Sequence, residues 1–408
     1  FNLLGQEGKG LNIALSCLNY GRCTLSAGML GGARTAMDQA VKWSRTRYQF
    51  QRSLSEFELV RTRIANMAAL CYAMDAVLYM TTGMLDRKDQ DIQIETATCK
   101  VFCSEMGWRV VNDAMQIMGG ESYMTENEVE RIFRDSRINL IVEGANEVMQ
   151  SYIFAYGGKQ LAERLLGIKE KLMREEGESL IGFIGKAARN SLRPKIMRAA
   201  IPTGTEVFLG MRRRPTRLAR VSGELAPIGE RLTRLASELT YQFKVMSKKM
   251  DAKIVERQAV QARLADIAIL LHAWACTLAR LDADLRAHGS NGASDLEWAR
   301  DRAAAMHFFD LAEVEIGQKL RELYENADDT MFAAADAALK YSDAREPGEF
   351  IIPEKSPTPQ RGHGRVPKQE GIKQFPGESW KGAALDSDVG SGAKATGAAG
   401  TGVPPMVM

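Results

Sequence analysis

Apolar side chains recur along much of this chain at alternating spacings of three and four residues. Phe57, Val60, Ile64, Met67, Cys71, Met74 and Leu78 form one stripe. Ile94, Ala97, Val101, Ser104, Trp108, Val111, Met115 and Met118 form a second, in which the small Ala97 and Ser104 admit a close neighbour. This spacing follows the turn of an α-helix and gives each helix one apolar seam. A first long helix is expected over about 8–46, rich in small residues such as Ala27, Gly28, Gly31 and Ala36. Helices of this length, joined by turns as short as residues 86–91, predict an antiparallel bundle, and no strand pattern of comparable length competes. Gly119 and Gly120 end the third helix, and Thr125 with Glu128 has the spacing of a capping box for a short helix. The last bundle helix is expected from just after Gly144 to about Arg164.

Beyond about residue 168 the pattern changes. Residues 181–220 hold ten Lys and Arg against one acid, Glu206, with Pro194, Pro202, Gly204, Gly210 and Pro215 interspersed. Leu264, Ile267, Leu271, Trp274, Leu278, Leu281 and Leu285 then restore a heptad seam, and 295–325 and 328–341 read as further helices. After about 346, Pro, Gly, Ser and Ala leave almost nothing to bury, which predicts a disordered tail. The expected organisation is all-α: a four-helix bundle over 1–165, a basic linker over 166–214, a second helical domain over 215–345 and the tail over 346–408.

Composition narrows the function classes. At 408 residues and 45% hydrophobic content, the chain can fill a core, and a net charge of +3 implies no polyanion partner. No run of 18 uncharged apolar residues occurs, so no membrane-spanning helix is expected, and the start "FNLLG" has no signal-peptide features. That start reads as a piece of a longer reading frame. The six cysteines, without a CxxC pair, read as free thiols in a reducing compartment, and with only four scattered histidines a metal site has little support.

One acid stands out. Glu143 follows Leu140, Ile141 and Val142, precedes Gly144 at a helix start, and has no cation three or four residues away. It is either exposed at that start or a buried acid with chemical work. Arg47, among four basic residues in 42–52, and Arg22 read locally as surface cations, and Gly119 and Gly120 read equally as a helix C-cap or a close approach to ligand.

Taken in order, "LNYGR" (18–22), "RTRYQFQRSLSEF" (45–57), "QIMGG" (116–120) and "RIFRDSRINLIVEGANE" (131–147) resemble the acyl-CoA dehydrogenase family. Within that family the resemblance is to the very-long-chain branch, which has an extra C-terminal helical domain. It covers about 1–165 by motif and 215–345 by layout. It implies the family's C-terminal four-helix bundle, with the N-terminal helical and middle β domains outside this chain. It implies FAD-dependent α,β-dehydrogenation of fatty acyl-CoA, with Glu143 as the base for the α proton and Gly144 against the substrate.

The resemblance also assigns ligand contacts. Asn19, Tyr20, Gly21 and Arg22 would meet the substrate near its thioester or pantetheine. Arg47, Tyr48, Gln49 and Phe57 would meet FAD, Arg47 at the diphosphate, where a guanidinium fork fits. Gln116, Ile117, Met118, Gly119 and Gly120 would lie at its adenosine side, and Ala145, Asn146 and Glu147 would complete the site. Two positions depart from the family: Gln51 stands where glycine is usual, and Ala145 where threonine would hold flavin. The implied partners are a second copy in a homodimer and an electron-transferring flavoprotein. The basic stretch 181–220 is expected to meet an anionic membrane surface, and no nucleic-acid reader accompanies it. The implied location is mitochondrial matrix or inner-membrane surface in a eukaryote, cytoplasm in a bacterium, and not secreted. An alternative with the same layout is a helical scaffold or respiratory-complex assembly factor, towards which "TRYQFQRSLSEF" and "TTGMLD" lean.

Overall fold

The computed structural model describes residues 4–89, 91–172, 220–288 and 295–344, with 210, 215, 217 and 218 besides. The basic stretch 181–220, apart from five of its positions, and the tail 346–408 lie outside the described residues. Nine α-helices are described: α1 Gly10–Thr46, α2 Glu58–Asp86, α3 Gln93–Met118, α4 Glu128–Ser136, α5 Asn146–Leu172, α6 Ala226–Met250, α7 Gln258–His288, α8 Leu296–Glu322 and α9 Asp328–Asp343. A hairpin of β1 Tyr48–Gln49 and β2 Arg52–Ser53 supplies the strands of the described residues.

The apolar seams explain the packing. Every residue from Cys71 to Leu78 in α2, and from Thr96 to Ser104 in α3, is buried. Burial on all sides marks these as central helices, flanked by α1 and α5 and capped by α7 and α8. The seam of α7 faces inward as expected: Trp274 is fully buried beside Phe309, ring centroids 5.2 Å apart. Phe308 of α8 meets Phe102 of α3 edge-on at 6.0 Å. A fully buried aromatic of this kind contributes on the order of 3 kcal/mol. Helices from both expected domains therefore share one core, and the compact unit runs from Phe1 to Asn326. A second unit begins at Ala327; its helix α9 has Asp328 and Asp329 in the first turn, where the helix dipole favours acids.

Charged links reinforce the core. Buried Asp75 of α2 pairs with Arg280 of α7 and, at 2.9 Å, with Arg34 of α1. Glu58–Asp86 and Gln258–Ala287 reach the length and hydropathy of membrane spans, contrary to the expectation from apolar runs, but 67% of each window is buried in the fold. Their apolar character belongs to the core. At α4 the cap is Asn127, whose side chain accepts from the Val129 N–H, in place of the expected Thr125. Asn127 sits immediately before the first helical residue, where a side-chain oxygen reaches the free amides.

Candidate active site

α1 and α3 run side by side in the same direction. Thr96 Oγ1 donates to Asn19 Oδ1 near their starts (3.1 Å), and Gly107 lies against Met29 further along. Their last turns therefore share one end of the bundle and their first turns the other. This sorts the candidate residues into two groups.

At the starting end stands Glu143. A 3₁₀ turn over Arg137–Leu140 leads into Glu143, φ +57°, and Gly144, φ +95°. Both are left-handed, and for a residue with a side chain that costs about 1–2 kcal/mol. Gly144 tolerates it without strain, and a side chain there would also meet Met149 Cε at 2.7 Å. The turn aims the Glu143 carboxylate at Gly21 of α1: a Cβ on Gly21 would lie 2.9 Å from Glu143 Oε2. Glu143 Oε2 is buried and has no hydrogen-bond partner among the described residues. Ile138, Ile141, Val142 and Tyr20 present exposed apolar surface nearby in the chain or on the adjoining turn of α1.

The neighbours of Glu143 are engaged with one another. Arg22, 7% exposed, donates to Asn19 Oδ1 at 3.1 Å and to the Glu143 carbonyl at 3.4 Å. Burial lowers the Arg22 pKa, and Tyr152 and Glu143 oppose that effect. Lys100 of α3 is fully buried; its Nζ donates to the Gly144 carbonyl and to Asn146 Oδ1, both at 2.7 Å. Burial pushes its pKa down to about 8, with Glu105 as the leading opposing charge. Asn146 Nδ2 donates to Ser104 Oγ (3.0 Å) and Glu105 Oε1 (2.7 Å). Asn19, Arg22 and Asn146 thus spend their side chains inside the fold, while Tyr20 and Glu147 remain exposed.

At the finishing end lies the second group. Arg47 caps α1, and its exposed guanidinium pairs with no carboxylate among the described residues. Phe50 (φ +53°) and Gln51 (φ +66°) form the two-residue loop of the hairpin, so the turn keeps the left-handed form that glycine favours although Gln51 fills it. Tyr48 and Gln49 are exposed, and the Arg52 guanidinium covers one face of Phe57, 3.9 Å from its centroid. Gly119 closes α3 with φ +64°, and a Cβ on Gly119 or Gly120 would meet nothing within 4 Å. Gln116 is exposed, whereas Ile117 and Met118 belong to the core and offer a ligand only backbone. An unpaired cation and open backbone at one end of the bundle fit the diphosphate and sugar of a dinucleotide. This group is separated from Glu143 by most of α1, roughly 35–40 Å along its axis.

Sequence reasoning missed Lys100, Thr96 and Glu95. Burial raises the Glu95 pKa, and its Oε2 is a second buried oxygen without a partner. For Lys100 a signal existed: it stands three after Ala97 and four before Ser104, a cation on the apolar stripe.

Comparison with known proteins finds relatives of this helical fold. Residues 8–156 match the family described as acyl-CoA dehydrogenase, C-terminal domain. The very long-chain specific acyl-CoA dehydrogenase of Macaca fascicularis mitochondria is 31% identical over 80% of this chain and 48% of that protein. A probable acyl-CoA dehydrogenase, FadE10, of Mycobacterium bovis is 40% identical over 37% of this chain and 25% of that protein. In fold, the chain is similar to an acyl-CoA dehydrogenase complexed with FAD from Bacillus anthracis, with TM-score 0.59 and 24% identity over 85% of this chain and 55% of that one. The chain spans about half the length of the curated relatives it matches. Residues 8–156 are thus a C-terminal helical domain of the acyl-CoA dehydrogenase family.

Proposed function

We propose that this chain is the helical half of a flavin-dependent enzyme in which Glu143 takes the α proton of a long-chain fatty acyl-CoA, in fatty acid β-oxidation. The observation that carries this reading is the Glu143 carboxylate, one oxygen buried and unpartnered, held over Gly21 by a left-handed turn. An α C–H beside a thioester is weakly acidic, so its base has to lie close and shed water. Glu143 accepts the proton on a carboxylate oxygen that no other donor occupies. Ile141 and Val142 offer an apolar approach for the acyl chain, and Met149 fills the space beside Gly144. Similarity to very-long-chain enzymes supports the chain-length class.

FAD, when bound, supplies the acceptor for the β hydride. Arg47 would hold its diphosphate and the Gly119–Gly120 backbone its adenosine side, with Ala145 and Glu147 at the start of α5 near the reacting end. Because the two groups occupy opposite ends of α1, one chain presents the base and a second copy presents Arg47 to the same flavin, which is the support for a homodimer. An electron-transferring flavoprotein would take the electrons onward. The mitochondrial and bacterial relatives support a mitochondrial or bacterial cytoplasmic setting, and the basic stretch 181–220 is retained as a membrane contact.

The test is Glu143→Gln in the flavin-loaded holoenzyme. Flavin reduction by a long-chain acyl-CoA is expected to vanish while flavin stays bound. Reduction at the normal rate would remove Glu143 as the base; a parent holoenzyme whose flavin long-chain acyl-CoA does not reduce would leave the helical-scaffold reading, in which partner capture is indifferent to this residue.

A further inference from the structure

The Glu143–Gly144 turn is held by contacts that avoid its carboxylate. Lys100 Nζ, wholly buried, donates to the Gly144 carbonyl and to Asn146 Oδ1, each at 2.7 Å. One ammonium therefore ties the end of the left-handed turn to the first residue of α5. Asn146 is secured in turn by Ser104 and Glu105, one helical turn along α3 from Lys100. Arg22 Nε, from α1, reaches the preceding carbonyl, that of Glu143, at 3.4 Å. Two successive carbonyls of the turn are thus met by cations from two different helices, while Glu143 Oε2 receives no donor.

Buried lysines ordinarily neutralise a carboxylate. Lys100 instead spends its hydrogens on a backbone carbonyl and a neutral amide. A side chain that merely filled the core between α3 and α5 would need no donor at all. The donor is directed at the one backbone stretch whose conformation decides where the Glu143 carboxylate points.

We propose that Lys100 is a positioning residue for Glu143, fixing the 143–146 turn so that the carboxylate stays over Gly21. The inference rests on the reading of Glu143 as the base. Without Nζ, the Gly144 carbonyl loses its side-chain donor in a water-poor site and is no longer tied to Asn146, which stays with Ser104 and Glu105; the turn relaxes, and the carboxylate leaves its place. Displacing a catalytic group by about 1 Å costs up to about 100-fold in rate.

The experiment is Lys100→Met, which keeps the apolar stem and removes the donor. In the flavin-loaded holoenzyme four quantities are read: the rate constant of flavin reduction by acyl-CoA, its α-deuterium isotope effect, the acyl-CoA dissociation constant, and amide hydrogen exchange across 141–149. The expected result is a rate constant lower by about 10- to 100-fold and a larger isotope effect, with a dissociation constant within about threefold of the parent. Exchange should quicken within 141–149 and stay unchanged in the core of α2. An unchanged rate overturns the proposal, and so does a loss matched by equal weakening of acyl-CoA binding with exchange raised throughout. Lys100→Gln retains N–H donors on a shorter arm and is expected to fall between the two; it carries the same measurements if Lys100→Met does not fold. Glu143→Gln runs alongside. If it still reduces flavin, the base reading fails; if it is inactive and Lys100→Met is not, only the positioning inference fails.

Discussion

Gly21→Ala sets stability and catalysis against each other. Gly21 lies in the interior of α1 with ordinary helical backbone, so alanine should favour the helix by roughly 1 kcal/mol. The new Cβ would stand 2.9 Å from Glu143 Cδ and Oε2 and 3.0 Å from Oε1. Carbon atoms rest against their neighbours at about 3.5 Å or more, so the carboxylate has to retreat by roughly 0.5–1 Å. That retreat is cheap in stability, because it moves only the end of a flexible side chain. It is expensive in catalysis, because a displacement of this size costs about 10- to 100-fold. Thermal unfolding should therefore show a Tm unchanged or raised by about 2 °C. Flavin reduction in the same preparation should slow by one to two orders of magnitude, on the order of the misalignment effect. Catalysis at the parental rate would refute the reasoning, since the carboxylate would then not need the space over position 21. A Tm lowered by several degrees would refute it too, by showing that the clash is not absorbed by the Glu143 side chain.

Three further outcomes follow from features elsewhere. Gln51→Gly should stabilise the fold by up to about 1 kcal/mol in denaturant unfolding, because it removes a side chain from a φ of +66°. Asp75→Ala should cost about 3 kcal/mol by the same measurement, leaving Arg280 and Arg34 without their shared buried acid; the low end of the range for broken buried pairs applies because Arg34 reaches solvent. Burial holds the His272 pKa down to about 4, against about 6.5 in the unfolded chain, so the unfolded state binds the extra proton between those values. Stability should therefore fall by as much as about 3 kcal/mol as pH drops from 6.5 towards 4, and His272→Leu should remove that part of the pH dependence, read from Tm against pH.

The helices were legible because their apolar stripes are regular. Met67, Cys71, Met74 and Leu78 are buried where the three-four spacing places them, and α8 and α9 begin and end within a few residues of expectation. The spacing could not show how many sides of a helix are covered. α3 was read as carrying one seam, yet Thr96 through Ser104 are buried all round, because α1, α2, α5 and α7 enclose it. For the same reason the core shared between the bundle and the expected second domain was invisible: seams state that a face is buried and not which helix buries it. Of the candidate site, Glu143 was conspicuous as an isolated acid. The network of Lys100, Asn146, Ser104 and Glu105 was not, since its members are brought together from α3 and α5 by packing. The inward commitment of Asn19 and Asn146 was equally hidden, because sequence places a side chain on a face without telling what it touches.

The parallel course of α1 and α3 has a consequence for symmetry. If each flavin takes its base from one chain and Arg47 from another, a two-fold pair closes both centres through one self-complementary relation, and each chain serves two different centres at once. Defects then segregate in an unusual way. When one chain lacks Glu143 and its mate lacks Arg47, both lesions fall in the same centre, and the other centre is whole. Two separately inactive preparations would regain one whole site in each mixed dimer on exchanging subunits, about a quarter of all sites when equal amounts mix at random, an arithmetic set by the direction in which two helices run.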